Sequence, residues 1–291
     1  MALPVKKIYI DSQFRTKDSI SSSNFKFQLP ESILLPHNTG MYIDNVSLPH
    51  AWWTIEPNIN DKLYMRVSPL NPVPVNNGVV DVIITIASGY WNAQDLAAEL
   101  QTKIRAATDF TVSGVTTNIF TVTYDFRKNI IIIASIPSRK FKILTPDDIA
   151  TKLNGDWLGT NYDARNPQYF NEVLGQLEGT SPFYDSNNPY VSNGINLQPI
   201  RNVYLHSPNL GNYKTIGPIG QTTIIKKIPV TNSFNEYIFD SITSGNDYLD
   251  CSRQTLRTIQ FYVTDSRGRE INFHGNNFSF SIVFAKVDSD S

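Results

Sequence analysis

The clearest alternation of apolar and polar residues lies between residues 256 and 284. Apolar side chains occupy every second position in 259–263, again at 271–273 and finally in 278–284, and polar turn-forming residues separate these runs. Successive side chains of a β-strand point to opposite faces of a sheet, so this period predicts strands with one dry face and one wet face. The segment is therefore predicted to form strand, turn, strand, turn, strand within a β-sandwich.

The same period predicts further strands on both sides of a different middle region. Before that region the predicted strands are 8–10, 25–29, 41–48, 63–67 and 80–86, and after it they are 203–205, 222–228 and 237–239. Strands spaced in this way and joined by polar turns favour a jelly roll or a similar sandwich. We therefore predict an all-β fold, a single jelly-roll β-sandwich formed by residues 1–87 and 201–288, with residues 88–200 inserted between them.

The insertion begins with the best helical pattern of the chain. Asn92 is suited to cap a helix, and apolar residues at helical spacing after it predict a helix over 93–107. A small β-hairpin over 120–133 and a short helix near 146–153 are predicted to follow. Residues 155–200 are rich in Gly, Pro, Asn and Tyr and show no strand period, so they are predicted to form long surface loops.

Composition narrows the class of protein without pointing to a reaction. Of the 291 residues, 41% are hydrophobic and 18% are charged, which is typical of a folded chain. The 25 basic and 26 acidic residues give a net charge of -1, so direct binding to nucleic acid is not expected. No apolar run reaches about 18 residues, so no membrane span is expected. Residues 1–30 lack the apolar core of a secretory signal, and the single cysteine, Cys251, excludes a disulfide within the chain.

The sequence contains no recognisable catalytic or metal-binding motif. No two of the four histidines, His37, His50, His206 and His274, lie within four residues of each other, as ligands on one strand of a metal-binding jelly roll would. No Gly-x-Ser-x-Gly elbow occurs, and no pair of carboxylates is singled out by its spacing. We therefore predict that the protein is not an enzyme and that it has no cofactor, no metal and no catalytic residue.

Four aromatic residues beside predicted turns are the better candidates for a functional role. They are Trp52, Trp53, Tyr90 and Trp91. One interpretation is that they pack beneath loops as part of the core. The other is that they form a contact between subunits or a platform for a sugar, because Trp and Tyr commonly anchor interfaces. We predict that they pack near the junction of the sandwich and the insertion.

Several short segments, taken in their order along the chain, resemble jelly-roll capsid proteins of virophages and Polinton-like double-stranded DNA viruses. These segments are Tyr9–Ser12, Tyr42–Pro49, Trp53–Ile55, Ser88–Leu100, Phe120–Asp125 and Thr264–Phe284. The region 155–200 carries none of the resemblance.

The resemblance implies the minor of the two main capsid proteins of that group. The major one has two jelly rolls per chain and forms trimers, and a second sandwich with loops of capsid size would not fit in 291 residues. The minor one, the penton, is a single jelly roll with an insertion and forms pentamers at the icosahedral vertices. On this resemblance we expect a structural protein of the virion, assembled inside the host cell, with a homo-pentamer and the major capsid protein as its partners.

Two other functions fit the same pattern. A carbohydrate-binding or receptor-attachment β-sandwich module would use loop aromatics as a sugar platform. A glycoside hydrolase on a sandwich fold would depend on one Asp or Glu for turnover.

Overall fold

The computed structural model describes residues 4–68, 80–112, 115–150, 169–176, 178–211, 215–241 and 248–287. Most of the regular structure is antiparallel β-sheet. The strands, in chain order, are β1 (Pro4–Asp11), β2 (Asn24–Leu34), β3 (Thr39–Pro49), β4 (Lys62–Ser68), β5 (Val80–Thr85), β6 (Phe110–Val112), β7 (Val115–Thr117), β8 (Phe120–Asp125), β9 (Ile130–Ser135), β10 (Lys140–Ile143), β11 (Tyr190–Val191), β12 (Asn202–His206), β13 (Ile224–Pro229), β14 (Tyr237–Asp240), β15 (Leu249–Asp250), β16 (Thr255–Thr264) and β17 (Ser279–Lys286). The helices are α1 (Ala93–Thr108), α2 (Pro146–Ala150) and α3 (Asn171–Leu174), and a 3-10 turn spans Ser12–Phe14.

The chain divides into two compact units. The first consists of Met1–Trp52 and Ile200–Ser291, and the second of Trp53–Pro199. The insertion therefore begins at residue 53, whereas the sequence placed its start at residue 88. Strands β4 and β5 belong to the second unit because β4 pairs with β5 on one side and with β10 on the other. A period of two marks a strand, but it does not say which sheet the strand joins.

The first unit is a jelly roll. One of its sheets has the order β1–β17–β3–β14, with β15 also paired to β3, and the other has the order β13–β12–β16–β2. Without β15, the unit has eight strands, which can be numbered one to eight in chain order. In that numbering the first sheet has the order one, eight, three, six, and the second has the order five, four, seven, two. This interleaving is the strand order of a jelly roll. The predicted fold class, an all-β single jelly roll with an insertion, is confirmed.

Aromatic rings from both sheets fill the space between them. Phe261 of β16 and Phe280 of β17 meet edge to face, with ring centroids 4.9 Å apart. Phe25 of β2 lies 5.6 Å from the ring of Phe261 and 5.7 Å from that of Phe278. Full burial of each such side chain contributes about 1.5–3 kcal/mol to stability. The alternation seen in the sequence therefore marks the inward face of the sandwich.

The C-terminal segment forms two strands, whereas the sequence predicted three. β16 and β17 lie in different sheets, so they do not form neighbouring strands of one sheet. Ile271 and Phe273 form no strand, although both side chains are buried in the core. The reason is that apolar residues on either sheet face the same core, so the period of two is identical whichever sheet a strand joins.

The second unit has its own core, built around α1 and two small sheets. The sheets have the orders β10–β4–β5 and β11–β9–β8. Asn92 caps α1 by accepting a hydrogen bond from the Asp95 backbone N–H at 2.9 Å, and the buried stripe of α1 consists of Leu96, Ala97, Leu100 and Ile104. The helix predicted over 93–107 and the hairpin predicted over 120–133 are confirmed by α1 and by β8 with β9.

The described part of residues 155–200 contains little regular structure, yet much of it is buried. Phe170, Leu174 and Tyr190 lie in the core of the second unit. The backbone of Tyr184 exchanges two hydrogen bonds with that of Phe141, at 2.7 and 2.9 Å. Irregular backbone can be buried when its N–H and C=O groups find hydrogen-bond partners of this kind. The absence of a strand period therefore did not show that these residues are buried. Residues 155–168 and 177, to which the prediction of loops also applied, lie outside the described residues.

Removal of the second unit tests the boundary at residue 52. Replacing residues 53–199 by a short Gly/Ser linker is expected to leave a chain that unfolds cooperatively, because the eight jelly-roll strands and their core residues all lie outside that range. Thermal unfolding followed by near-ultraviolet circular dichroism measures this.

The matched control replaces residues 88–199 instead. This control retains β4 and β5 without β10 and without the rest of their core, so it exposes Leu63, Met65 and Val67 and is expected to aggregate. A cooperative transition in the control and none in the first variant would contradict the boundary.

Candidate functional site

The described residues contain no grouping suited to hold a metal, and the thiol of Cys251 is not activated. No group of three or more His, Cys, Asp or Glu side chains in the described ranges is placed to hold a metal ion. Cys251 is fully buried, and burial raises the pKa of its thiol to about 12. A thiol with such a pKa is a poor nucleophile near neutral pH. No helix in the described part of the chain is long and apolar enough to cross a membrane.

His206 lies at the centre of a buried hydrogen-bond network. Its Nε2 is 2.9 Å from Thr264 Oγ1, which in turn donates to the Asp265 carbonyl, so Nε2 carries the proton. Its Nδ1 is 3.0 Å from Thr223 Oγ1, and the hydroxyl of Tyr262 is 2.7 Å from that same oxygen. The imidazole also stacks on the ring of Tyr262 at 4.4 Å. The network is complete with a neutral imidazole, and burial lowers the pKa of His206 to about 4.

The first of the four predicted aromatic residues, Trp52, is a core residue of the jelly roll. Its side chain is 2% exposed and packs on the rings of His50, at 4.3 Å, and Phe273, at 6.3 Å. His50 is held by a contact of 2.9 Å between its Nδ1 and the Asn232 carbonyl oxygen. A side chain buried to this extent packs the core and has no surface to offer a sugar or another subunit.

The other three predicted aromatic residues come together in the second unit. Ile55 and Gly89 exchange backbone hydrogen bonds of 3.1 and 3.0 Å. This pairing places the backbone around Trp53 beside the backbone of Tyr90 and Trp91. Trp91 packs on the core and donates from Nε1 to the Ala87 carbonyl at 2.9 Å, whereas Tyr90 is 53% exposed. The packing of these residues near the junction of the sandwich and the insertion stays a prediction, and so does the alternative of an interface or a sugar platform.

Two pairs of exposed or half-buried rings that the sequence reasoning missed lie on the outer side of the first jelly-roll sheet. We call these rings the aromatic face, which consists of Tyr42, Tyr237, Phe239 and Tyr248. Tyr237 and Phe239 project outward because the alternate residues of β14 point inward, and their rings are nearly parallel at 6.3 Å and 25°. The rings of Tyr42 and Tyr248 meet at 5.0 Å. The run Tyr237-Ile238-Phe239 was a usable signal, because a strand that is apolar on both faces is typically covered on both.

A groove opens on the flank of the jelly roll where β13 and β14 are the edge strands. It has a volume of about 770 Å³, and its apolar lining includes Ile216, Pro218, Ile225 and Leu249. Lys226 of β13 and Asp240 of β14 form an ion pair of 3.7 Å within it, and both side chains are about nine-tenths buried. Inward-pointing charges of this kind keep an edge strand from pairing with another chain.

A smaller hollow opens on the other flank, where β1 and β2 are the edge strands. Its volume is about 320 Å³, and Tyr9, Asp11, Phe14 and Phe27 contribute to its lining. Tyr9 and Phe14 are both strongly exposed. The two flanks therefore each combine exposed apolar side chains with a concave surface.

Comparisons with solved structures match this chain to viral proteins. No protein-family model matches the chain, and no curated protein matches it at a significant level. A crystal structure of the mavirus penton protein is similar over 97% of this chain and 100% of its own, with 10% identity and a TM-score of 0.49. A chain of the Sputnik virophage structure, solved by cryo-EM, is similar over 96% of this chain and 98% of its own, with 15% identity and a TM-score of 0.42.

The pKa of His206 predicts a loss of stability in mild acid. Between about pH 6.5 and pH 4 the unfolded chain binds a proton at this histidine and the folded chain does not, so the free energy of unfolding falls as the pH falls. The loss from this group reaches at most about 3 kcal/mol. The variant His206→Gln removes the titrating group and is expected to lose less stability than the wild type between pH 7 and pH 4.5, as measured by urea unfolding.

An exposed uncharged residue of α1 supplies the control for this comparison. The variant Thr102→Gln leaves every titrating group in place and is expected to retain the pH dependence of the wild type. Equal pH dependence of the wild type and His206→Gln would contradict the assignment.

Proposed function

We propose that the chain is a structural protein of a viral capsid, the penton subunit that forms pentamers at the icosahedral vertices. The observation that carries the proposal is the aromatic face, where Phe239 is 73% exposed beside Tyr237 on a rigid sheet. Folding of the jelly roll does not require these rings on its outer side. Exposed apolar patches of this kind mark surfaces that another protein covers.

The resemblance to virophage capsid proteins, carried by short segments in the same order along the chain, supports a penton as the type of assembly. A vertex protein needs a stiff body and surfaces for its neighbours, and it needs no catalytic group. Two packed sheets with a shared aromatic core provide the stiffness. Repeated rotation by one fixed angle then closes a ring of identical subunits and avoids an open fibre. The proposed partners are the other copies in the pentamer and the surrounding major capsid protein, and the proposed location is the virion.

A sugar-binding module is the second candidate, and one observation favours it. The rings of Tyr237 and Phe239 are exposed and nearly parallel, which suits stacking against the flat face of a sugar. Binding to a glycan array that is lost in Phe239→Ser would support this candidate. The penton proposal predicts no such binding.

Co-expression with the major capsid protein of the same virus tests the penton proposal. Particles examined by cryo-EM are expected to carry density for this chain at their five-fold vertices. The variant Phe239→Ser is expected to weaken incorporation at least tenfold, because a buried aromatic anchor contributes about 2 kcal/mol or more to binding.

The matched control is Phe126→Ser, which removes a ring of equal exposure, 74%, from a turn of the second unit. It is expected to be incorporated at the wild-type level. Wild-type density at positions other than the five-fold vertices, or particles without this chain, would contradict the proposal.

A further inference from the structure

We propose that the two flanks of the jelly roll are complementary, and that the groove between β13 and β14 of one copy receives the Tyr9 and Phe14 edge of a second copy. This inference rests on the proposed function, because it assigns the contact between neighbours in the ring to named surfaces.

The strand order places the two surfaces on opposite flanks. In one sheet β1 and β14 are the two edge strands, and in the other β2 and β13 are. The hollow is lined from β1, its neighbour β17 and β2, with one residue of β3. The groove is lined mainly from β13 and residues 215–218, with single residues of β3, β12, β14 and β15. A contact between two different patches of the same molecule is heterologous, and such a contact builds a ring when its rotation closes. A single contact between like flanks would stop at a dimer.

The shapes of the two flanks match in both directions. The groove, at about 770 Å³, falls within the range of roughly 300–1,000 Å³ that encloses a drug-sized group, so it has room for exposed aromatic side chains. Ile216 stands on its rim with 80% of its side chain exposed. The hollow beside Tyr9 and Phe14, at about 320 Å³, is large enough to receive one aliphatic side chain. In the proposed contact Phe14 of one copy enters the groove of its neighbour. Ile216 of the neighbour enters the hollow of the first copy.

The unpaired charged residues that line the two surfaces are of opposite sign. Asp11 is the one charged residue that lines the hollow, and it makes no ion pair within the described residues. The groove is lined by three charged residues, of which Lys226 and Asp240 pair with each other. The third, Lys227, is exposed and forms no ion pair in the part of the chain that the structure describes. Seating the edge in the groove brings Asp11 towards Lys227, and this complementarity selects a second copy as the occupant.

Site-directed crosslinking within assembled particles tests the contact. Cys251 is fully buried, so cysteines introduced at exposed positions are the reactive ones. Particles that contain the double variant Phe14→Cys, Ile216→Cys are treated with a short bis-maleimide and separated on a denaturing gel. The expected result is a ladder of crosslinked subunits that ends at five copies.

Single variants distinguish the proposed contact from a symmetric one. A mixture of copies carrying only Phe14→Cys with copies carrying only Ile216→Cys is expected to give dimers and nothing larger. Phe14→Cys paired with Leu34→Cys, an exposed residue of β2 on the same flank, is expected to give no crosslink. Dimers from Phe14→Cys alone would overturn the heterologous contact.

A charge reversal tests the same contact without chemical reagents. Asp11→Lys and Lys227→Asp are each expected to reduce incorporation at vertices several-fold, and the two together are expected to restore it. Vertices that form normally with no ladder and no effect of either reversal would overturn this inference and leave the penton proposal standing. Failure of the wild-type chain to occupy vertices would overturn both.

Discussion

The packing of the two jelly-roll sheets against one shared aromatic core is the constraint on which the rest of the first unit depends. Phe25 and Phe261 belong to one sheet and Phe280 to the other, and their rings meet at van der Waals distance in the space between. This burial fixes which side of every strand faces inward. Side chains at the alternate positions are then directed outward, whatever their polarity.

Outward direction explains why exposed apolar residues occur on so well packed a unit. Tyr237 and Phe239 are on the outside because Ile238 and Asp240 of the same strand point inward. The open edges of a sandwich also leave concave surfaces between the sheets, since no strand closes the gap at either flank. The inward ion pair of Lys226 and Asp240 lies in one such gap and protects it from strand pairing. The features proposed to mediate assembly are therefore direct products of the fold.

Much of the architecture could be predicted from the sequence, because local periods determine it. The alternation in 259–263 and 278–284 identified the inward faces of β16 and β17, and the cap Asn92 located the start of α1. Long-range choices could not be predicted, since a strand period is the same in any sheet. For this reason the boundary at residue 52 was missed. The candidate Trp52 lies in the core, and the exposed Phe239 was not among the candidates. The sequence shows that each residue is apolar, but it does not show which side of the strand other residues cover.

We propose, as the central claim, that five copies of this jelly roll form a closed ring at a capsid vertex. Native mass spectrometry of vertex complexes released from purified particles measures the number of copies directly. The complex is expected to contain five copies of this chain. A complex with two or three copies would contradict the five-fold ring. Intact vertex complexes that lack this chain, with the chain released only as a monomer, would contradict it as well.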